Sequence, residues 1–73
     1  MKIKIRLDTK TDAIDLCATA ETLPDEKVVI TDNNGMCVSA KSIMGALYAM
    51  EFEELWLETE HDHWYLFQRF EVE

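Results

Sequence analysis

Apolar and polar residues alternate strictly over Lys2-Ile3-Lys4-Ile5-Arg6-Leu7, so Ile3, Ile5 and Leu7 share one face and three cations the other. This pattern predicts a half-buried strand. After a polar connection from Asp8 to Lys10 the period changes: Ala13, Leu16, Cys17, Ala20 and Leu23 recur at three- and four-residue spacing. A helix is predicted there, capped by Thr11 or Asp12 and stopped near Pro24. Lys27 to Thr31 is β-branched and apolar, Asp32-Asn33-Asn34-Gly35 supplies residues that tolerate positive φ, and Met36 to Ala40 is extended again. These segments predict a hairpin. Ser42 stands where an N-cap belongs, ahead of Ile43, Met44, Ala46, Leu47 and Met50 on the apolar side of a short second helix. Gly45 either weakens that helix or permits a close approach. Glu54-Leu55-Trp56-Leu57-Glu58 alternates once more, with Leu55 and Leu57 inward and Trp56 on the opposite face. From Asp62, a candidate cap, Trp64, Phe67 and Phe70 with Leu66 have helical spacing and predict a third helix.

The predicted order is βαββαβα, with loops of only a few residues. The expected fold class is α+β, an open-faced sandwich: a four-stranded, mainly antiparallel sheet with three helices on one face and the other face largely wet. Lys2, Lys4 and Arg6 on one strand then face Glu54 and Glu58 on another, pairs worth under about 1 kcal/mol each that tune register. Residues 1–73 are expected to form a single small domain, of a size that buries only about 60% of its unfolded surface. The apolar share of 48% is enough for one core, which argues against disorder.

Charge narrows the functions. Fifteen acids against seven bases give a net charge of −8. Residues 1–10 carry +3 and residues 51–73 carry −7. A general nucleic-acid binder needs a basic face, so nucleic acid is not an expected partner; the acidity suits a basic partner or simply a soluble surface. No apolar run approaches the roughly 20 residues of a membrane span, and Met1 to Lys4 lacks the apolar stretch of a signal peptide, so no membrane role and a cytoplasmic location are expected. Cys17 and Cys37 stand alone and are expected to be buried or half-buried structural thiols.

The string Ala40-Lys41-Ser42-Ile43-Met44-Gly45 resembles the HPr family, the phosphocarrier proteins of the bacterial sugar phosphotransferase system. Family members carry Lys-Ser-Ile-Met-Gly between the third strand and the second helix. The Asn33-Asn34-Gly35 turn, the Leu55/Leu57 strand and the βαββαβα order also follow the family pattern, while close identity is confined to Ala40–Gly45. The resemblance fails at the family's Gly-x-His-x-Arg-Pro segment. Counting back from Lys41 without gaps, Thr11, Ala13 and Ile14 stand in place of histidine, arginine and proline. Phosphohistidine chemistry needs the imidazole nucleophile and a cation, and Asp12 and Asp15 would repel an incoming phosphate. Phosphocarrier activity is therefore not expected, and no catalytic residue is assigned.

The resemblance implies a different role for Ser42. In many family members this serine is a regulatory phosphorylation site whose modified form docks on a carbon-catabolite repressor, and one HPr-like subclass keeps the serine without the histidine. A phosphate at a helix N-terminus meets free N–H groups, and Ile43, Met44 and Leu47 beside it could present an apolar patch. The plainer reading makes Ser42 a cap and places Ile43 and Leu47 in the core. Trp64, Tyr65, Phe67 and Phe70 are expected to be mostly core. Trp56, on the wet face between carboxylates, is the aromatic least expected to be buried and a candidate partner-binding or self-association residue. His61 and His63, in Glu60-His61-Asp62-His63, read as solvated loop histidines with one partly packed against the helix; two residues of one short stretch are a weak signal for zinc or nickel, and neither a metal nor a cofactor is expected.

The expected function is thus a non-catalytic HPr-like protein acting through protein contacts, with Ser42 as its phosphorylation site. The expected partners are phosphotransferase components, HPr kinase or a transcription regulator, and the expected state is a monomer or weak homodimer. The alternative is a small acidic decoy or inhibitor of phage or mobile-element type that caps a basic surface. The chain shows no nucleophile–base pair and no glycine-rich phosphate loop, so an enzyme is not expected.

Overall fold

The computed structural model describes residues 1–72. Its elements are β1 (Lys2–Ile5), α1 (Lys10–Glu21), β2 (Val28–Thr31), β3 (Cys37–Ser39), α2 (Ile43–Ala49), β4 (Leu55–Thr59) and α3 (Trp64–Phe67), the last running into a 3-10 turn at Gln68–Phe70. The four strands form one antiparallel sheet in the order β1-β4-β2-β3. The fold is α+β: an open four-stranded sheet with three helices.

Alternation decides which way the sheet faces. Ile3 and Ile5 of β1, Val28 and Ile30 of β2, and Leu55 and Leu57 of β4 are all buried on one side. In register, Ile3 and Ile30 both lie opposite Leu57, so the apolar rows meet at the central strand. The helices cover this side through Ala13, Leu16, Cys17 and Ala20 of α1, Ala46 and Ala49 of α2, and Phe67 and Phe70 at the end of the described chain, all in one core cluster. Burial of each large apolar side chain stabilises by about 1.5–3 kcal/mol relative to exposure.

Several local expectations change. Helix α1 starts earlier than Thr11 or Asp12: its N-cap is Thr9, whose hydroxyl accepts the Asp12 N–H at 3.2 Å while Asp12 Oδ2 accepts the Thr9 N–H at 3.2 Å. Asp12 serves as the reciprocal acid of a capping box rather than as the cap. The third helix is shorter than the spacing predicts: one α-turn followed by a 3-10 turn. Only Phe67 and Phe70 of that run are buried; Trp64 and Tyr65 are exposed. In α2 the buried residues are the two alanines, while Ile43 and Met44 point to solvent and Leu47 and Met50 are half-buried. Cys17 is buried, but Cys37 is exposed on β3, the open edge of the sheet. The far edge differs: the segment after the 3-10 turn lies along β1, with Arg6 N–H donating to Phe70 O and Val72 N–H to Lys4 O, both at 2.9 Å.

The wet face carries some of the expected cross-strand pairs. Lys4 Nζ reaches Glu54 Oε1 at 3.4 Å, and Lys2 lies opposite Glu58 in register. Arg6 turns instead to Asp8, at 2.7 Å.

Candidate functional site

Ser42 caps α2 in the expected way, with extended backbone and its Oγ accepting the Gly45 N–H at 3.1 Å. The chain reaches this cap through a tight turn, Ser42 N–H to Ser39 O at 3.3 Å, and Cys17 Sγ–H donates to Lys41 O at 3.2 Å to hold the turn against α1. Gly45 is there for the close approach: a Cβ on it would stand 2.6 Å from Ser39 O. A side chain at that position would push α2 off the turn that carries Ser42.

The hydroxyl of Ser42 is exposed, and so are its apolar neighbours. Met44 is 78% exposed, Ile43 and Tyr48 about half, and Leu47 is half-buried beneath them. Met44 and Tyr48 stand four apart on one helix face, and Tyr48 also meets Phe52 edge-on at 5.6 Å between ring centres. Tyr48 was not singled out in the sequence; its spacing from Met44 is the signal that would have found it. These residues form a continuous candidate surface around Ser42.

Trp56 does not belong to it. It lies on the sheet face turned away from the helices, half-buried, with Lys2 Nζ and Lys4 Nζ at 5.5 and 5.9 Å from its ring centre and its indole N–H donating to Asn33 Oδ1 at 3.2 Å. Lys4, opposite it in register, and Lys2 on the diagonal stand over the ring, which leaves Trp56 half-buried. The neighbouring Glu54 carboxylate, held by the Asn33 amide and by Lys4, lies below its usual carboxylate range.

At the N-terminus of α1, Arg6, Asp8, Asp12, Arg69, Phe70, Glu71 and Val72 line an open hollow of about 530 Å³. The sequence had placed only Asp12 and Asp15 here; the fold adds two arginines. Both are already paired, Arg6 with Asp8 at 2.7 Å, and Arg69 with Asp15 at 3.4 Å and Asp12 at 4.0 Å. The hollow therefore offers an incoming phosphate alternating charges rather than a cationic cradle.

A second cluster forms at the opposite end of the central strands. Val28 lies opposite Thr59, and continuing that register sets Lys27 beside Glu60 and Glu26 beside His61. The connections lock reciprocally: Lys27 N–H donates to Glu60 Oε1 at 3.2 Å, and His61 N–H donates to Glu26 Oε1 at 2.5 Å. His63, two residues on, brings Nε2 to 2.5 Å from Glu26 Oε2, and His61 Nδ1 lies 3.5 Å from Glu26 Oε1. The side chains of Glu26 and His63 are only 11% and 18% exposed, against 78% for His61. Burial pushes the Glu26 carboxyl up, but the His61 N–H and the two imidazoles outweigh it and leave the group below its ordinary value. His61 is the solvated loop histidine, and His63 is the partly packed one of the pair, held by Glu26. Glu26 was missed because its place in the cluster depends on strand register, which the sequence does not show.

Comparison with known protein families, with curated proteins and with solved structures returns no match to this chain.

Proposed function

We propose that the chain is a non-catalytic HPr-like protein that acts by protein contact through the surface around Ser42, with phosphorylation of Ser42 as its switch. One observation carries this reading: the serine of the Lys-Ser-Ile-Met-Gly string is exposed at the start of α2, and Ile43, Met44 and Tyr48 are exposed around it. A purely structural helix would turn those apolar groups inward, and α2 buries only its alanines. Element order and the Asn33-Asn34-Gly35 turn, with Gly35 at φ 87°, also fit the resemblance. A phosphoryl group on Ser42 adds nearly two negative charges at the rim of an apolar patch, enough to change which partner docks there. A flexible methionine at the centre suits a surface that must meet more than one partner.

The same reading leaves the α1 end without phosphocarrier chemistry, since Thr11 occupies the histidine's place and both arginines of the hollow are paired. The test is incubation of the purified chain with HPr kinase and, separately, with enzyme I of the phosphotransferase system, read by intact mass. The expected result is one phosphoryl group from HPr kinase, lost in Ser42→Ala, and none from enzyme I. Phosphorylation by enzyme I would overturn the assignment. Failure with both enzymes, joined to salt-sensitive capture of a basic protein, would favour the acidic decoy instead.

A further inference from the structure

We infer that Glu26, His61 and His63 form a binding site for a late first-row divalent metal ion, with zinc the best fit to the donor set. Each residue offers one ligand atom, and these atoms all lie within 4.8 Å of one another. Two imidazole nitrogens and one carboxylate oxygen with an open fourth position match three-ligand zinc sites. Imidazole donors select zinc, copper or nickel over magnesium and calcium.

The donors are gathered but not yet at coordination distances, so the exposed His61 has to swing in for an ion to bind. Zinc ligands at roughly 2.0–2.2 Å in a tetrahedron stand about 3.3 Å apart. His61 Nδ1 and Glu26 Oε1 are already 3.5 Å apart, and the 2.5 Å contact between His63 Nε2 and Glu26 Oε2 has to open by under about 1 Å. An ion entering there takes the Nε2 lone pair of His63, so the bound ring carries its single proton on Nδ1: a neutral ring protonated on Nε2 moves that proton to Nδ1, and a doubly protonated ring releases its Nε2 proton to solvent.

Much of the site is assembled in advance. Glu26 is held by the His61 N–H, and the turn that carries His63 is fixed by Asp62 Oδ1 accepting the Trp64 N–H at 3.0 Å. His61 is the exposed arm and can close without disturbing the core. Beside the cluster a shallow groove of about 310 Å³, lined by Thr22, Leu23, Pro24 and Asp25, leaves room for a water ligand. A bound ion would tie the α1–β2 connection to the β4–α3 connection, two segments 35 residues apart that otherwise meet through hydrogen bonds.

The inference is independent of the Ser42 reading and is tested on the untagged, chelator-treated chain. Zinc is titrated by calorimetry and cobalt(II) by visible absorption. The expected result is one ion per chain, cobalt bands of four-coordinate intensity, and no competition by magnesium. His61→Ala and His63→Ala should each weaken binding by roughly tenfold or more. His63→Ala is checked by circular dichroism for retained fold, and the exposed His61→Ala carries the test if it is disturbed. No cobalt spectrum in the parent chain, or an affinity unchanged in both variants, would overturn the site and leave Glu26 and His63 as a hydrogen-bonded pair.

Discussion

The Ser42 surface and the Glu26–His61–His63 cluster are built in opposite ways. Ser42, Ile43, Met44 and Tyr48 come from a single turn-and-helix segment, so their proximity follows from helical spacing alone. The cluster draws Glu26 from the α1–β2 connection and the histidines from the β4–α3 connection, and exists only because Val28 pairs with Thr59. The first arrangement is set by neighbours in sequence, with Cys17 holding its turn against α1; the second depends on the register of two strands.

The largest effect expected follows from that asymmetry. Phe67 is fully buried and anchors α3 directly after His63. Phe67→Ala should destabilise by about 3–5 kcal/mol, measured by denaturant unfolding, and should loosen the histidine cluster first in hydrogen exchange. Equal loosening at α2 would erase the distinction between the two regions.

A smaller effect separates the two roles within the Ser42 surface. Ser42→Ala removes the Oγ bond to the Gly45 N–H and should cost about 1 kcal/mol. Met44→Ala should change stability by no more than about 0.5 kcal/mol, because the side chain is largely in solvent. Thermal unfolding of the pair checks this. Comparable losses would place Met44 in the core and remove the reason to treat the surface as a docking face.

The smallest effect lies on the wet face, away from both regions. Glu54 has a folded value below its unfolded one, so its contribution is present above the ordinary carboxylate range and fades as pH falls through the folded value. The group is partly exposed and its ion pair contributes little. An NMR titration should place the Glu54 carboxyl below an ordinary glutamate, and Glu54→Gln should flatten only the acid limb of the stability curve. An ordinary value for Glu54 would show that the Asn33 and Lys4 contacts do not persist in solution.

How much of this was legible varies with the kind of information required. Alternation in Ile3/Ile5 and Leu55/Leu57 places the core face correctly because a strand's period depends on nothing distant. The Ser42 cap is equally local. The Thr9 cap was missed because Thr9, Thr11 and Asp12 all suit an N-cap, and the reciprocal bond that selects Thr9 makes Asp12 its partner. Trp64, expected in the core, is exposed while Phe67 and Phe70 of the same run are buried, and Trp56 is half-buried under lysines from β1, contacts that depend on tertiary structure. The place of Glu26 needed a register, and neither composition nor spacing supplies one.

The two borders of the sheet have unequal consequences for self-association. Residues Phe70 to Val72 already occupy hydrogen-bonding groups along β1, whereas β3 leaves its outer row open with Cys37 and Ser39 exposed. Among the described residues, β3 is therefore the border with room for a further strand along its whole length, and a second copy adding there strand to strand would cover that row on both molecules at once.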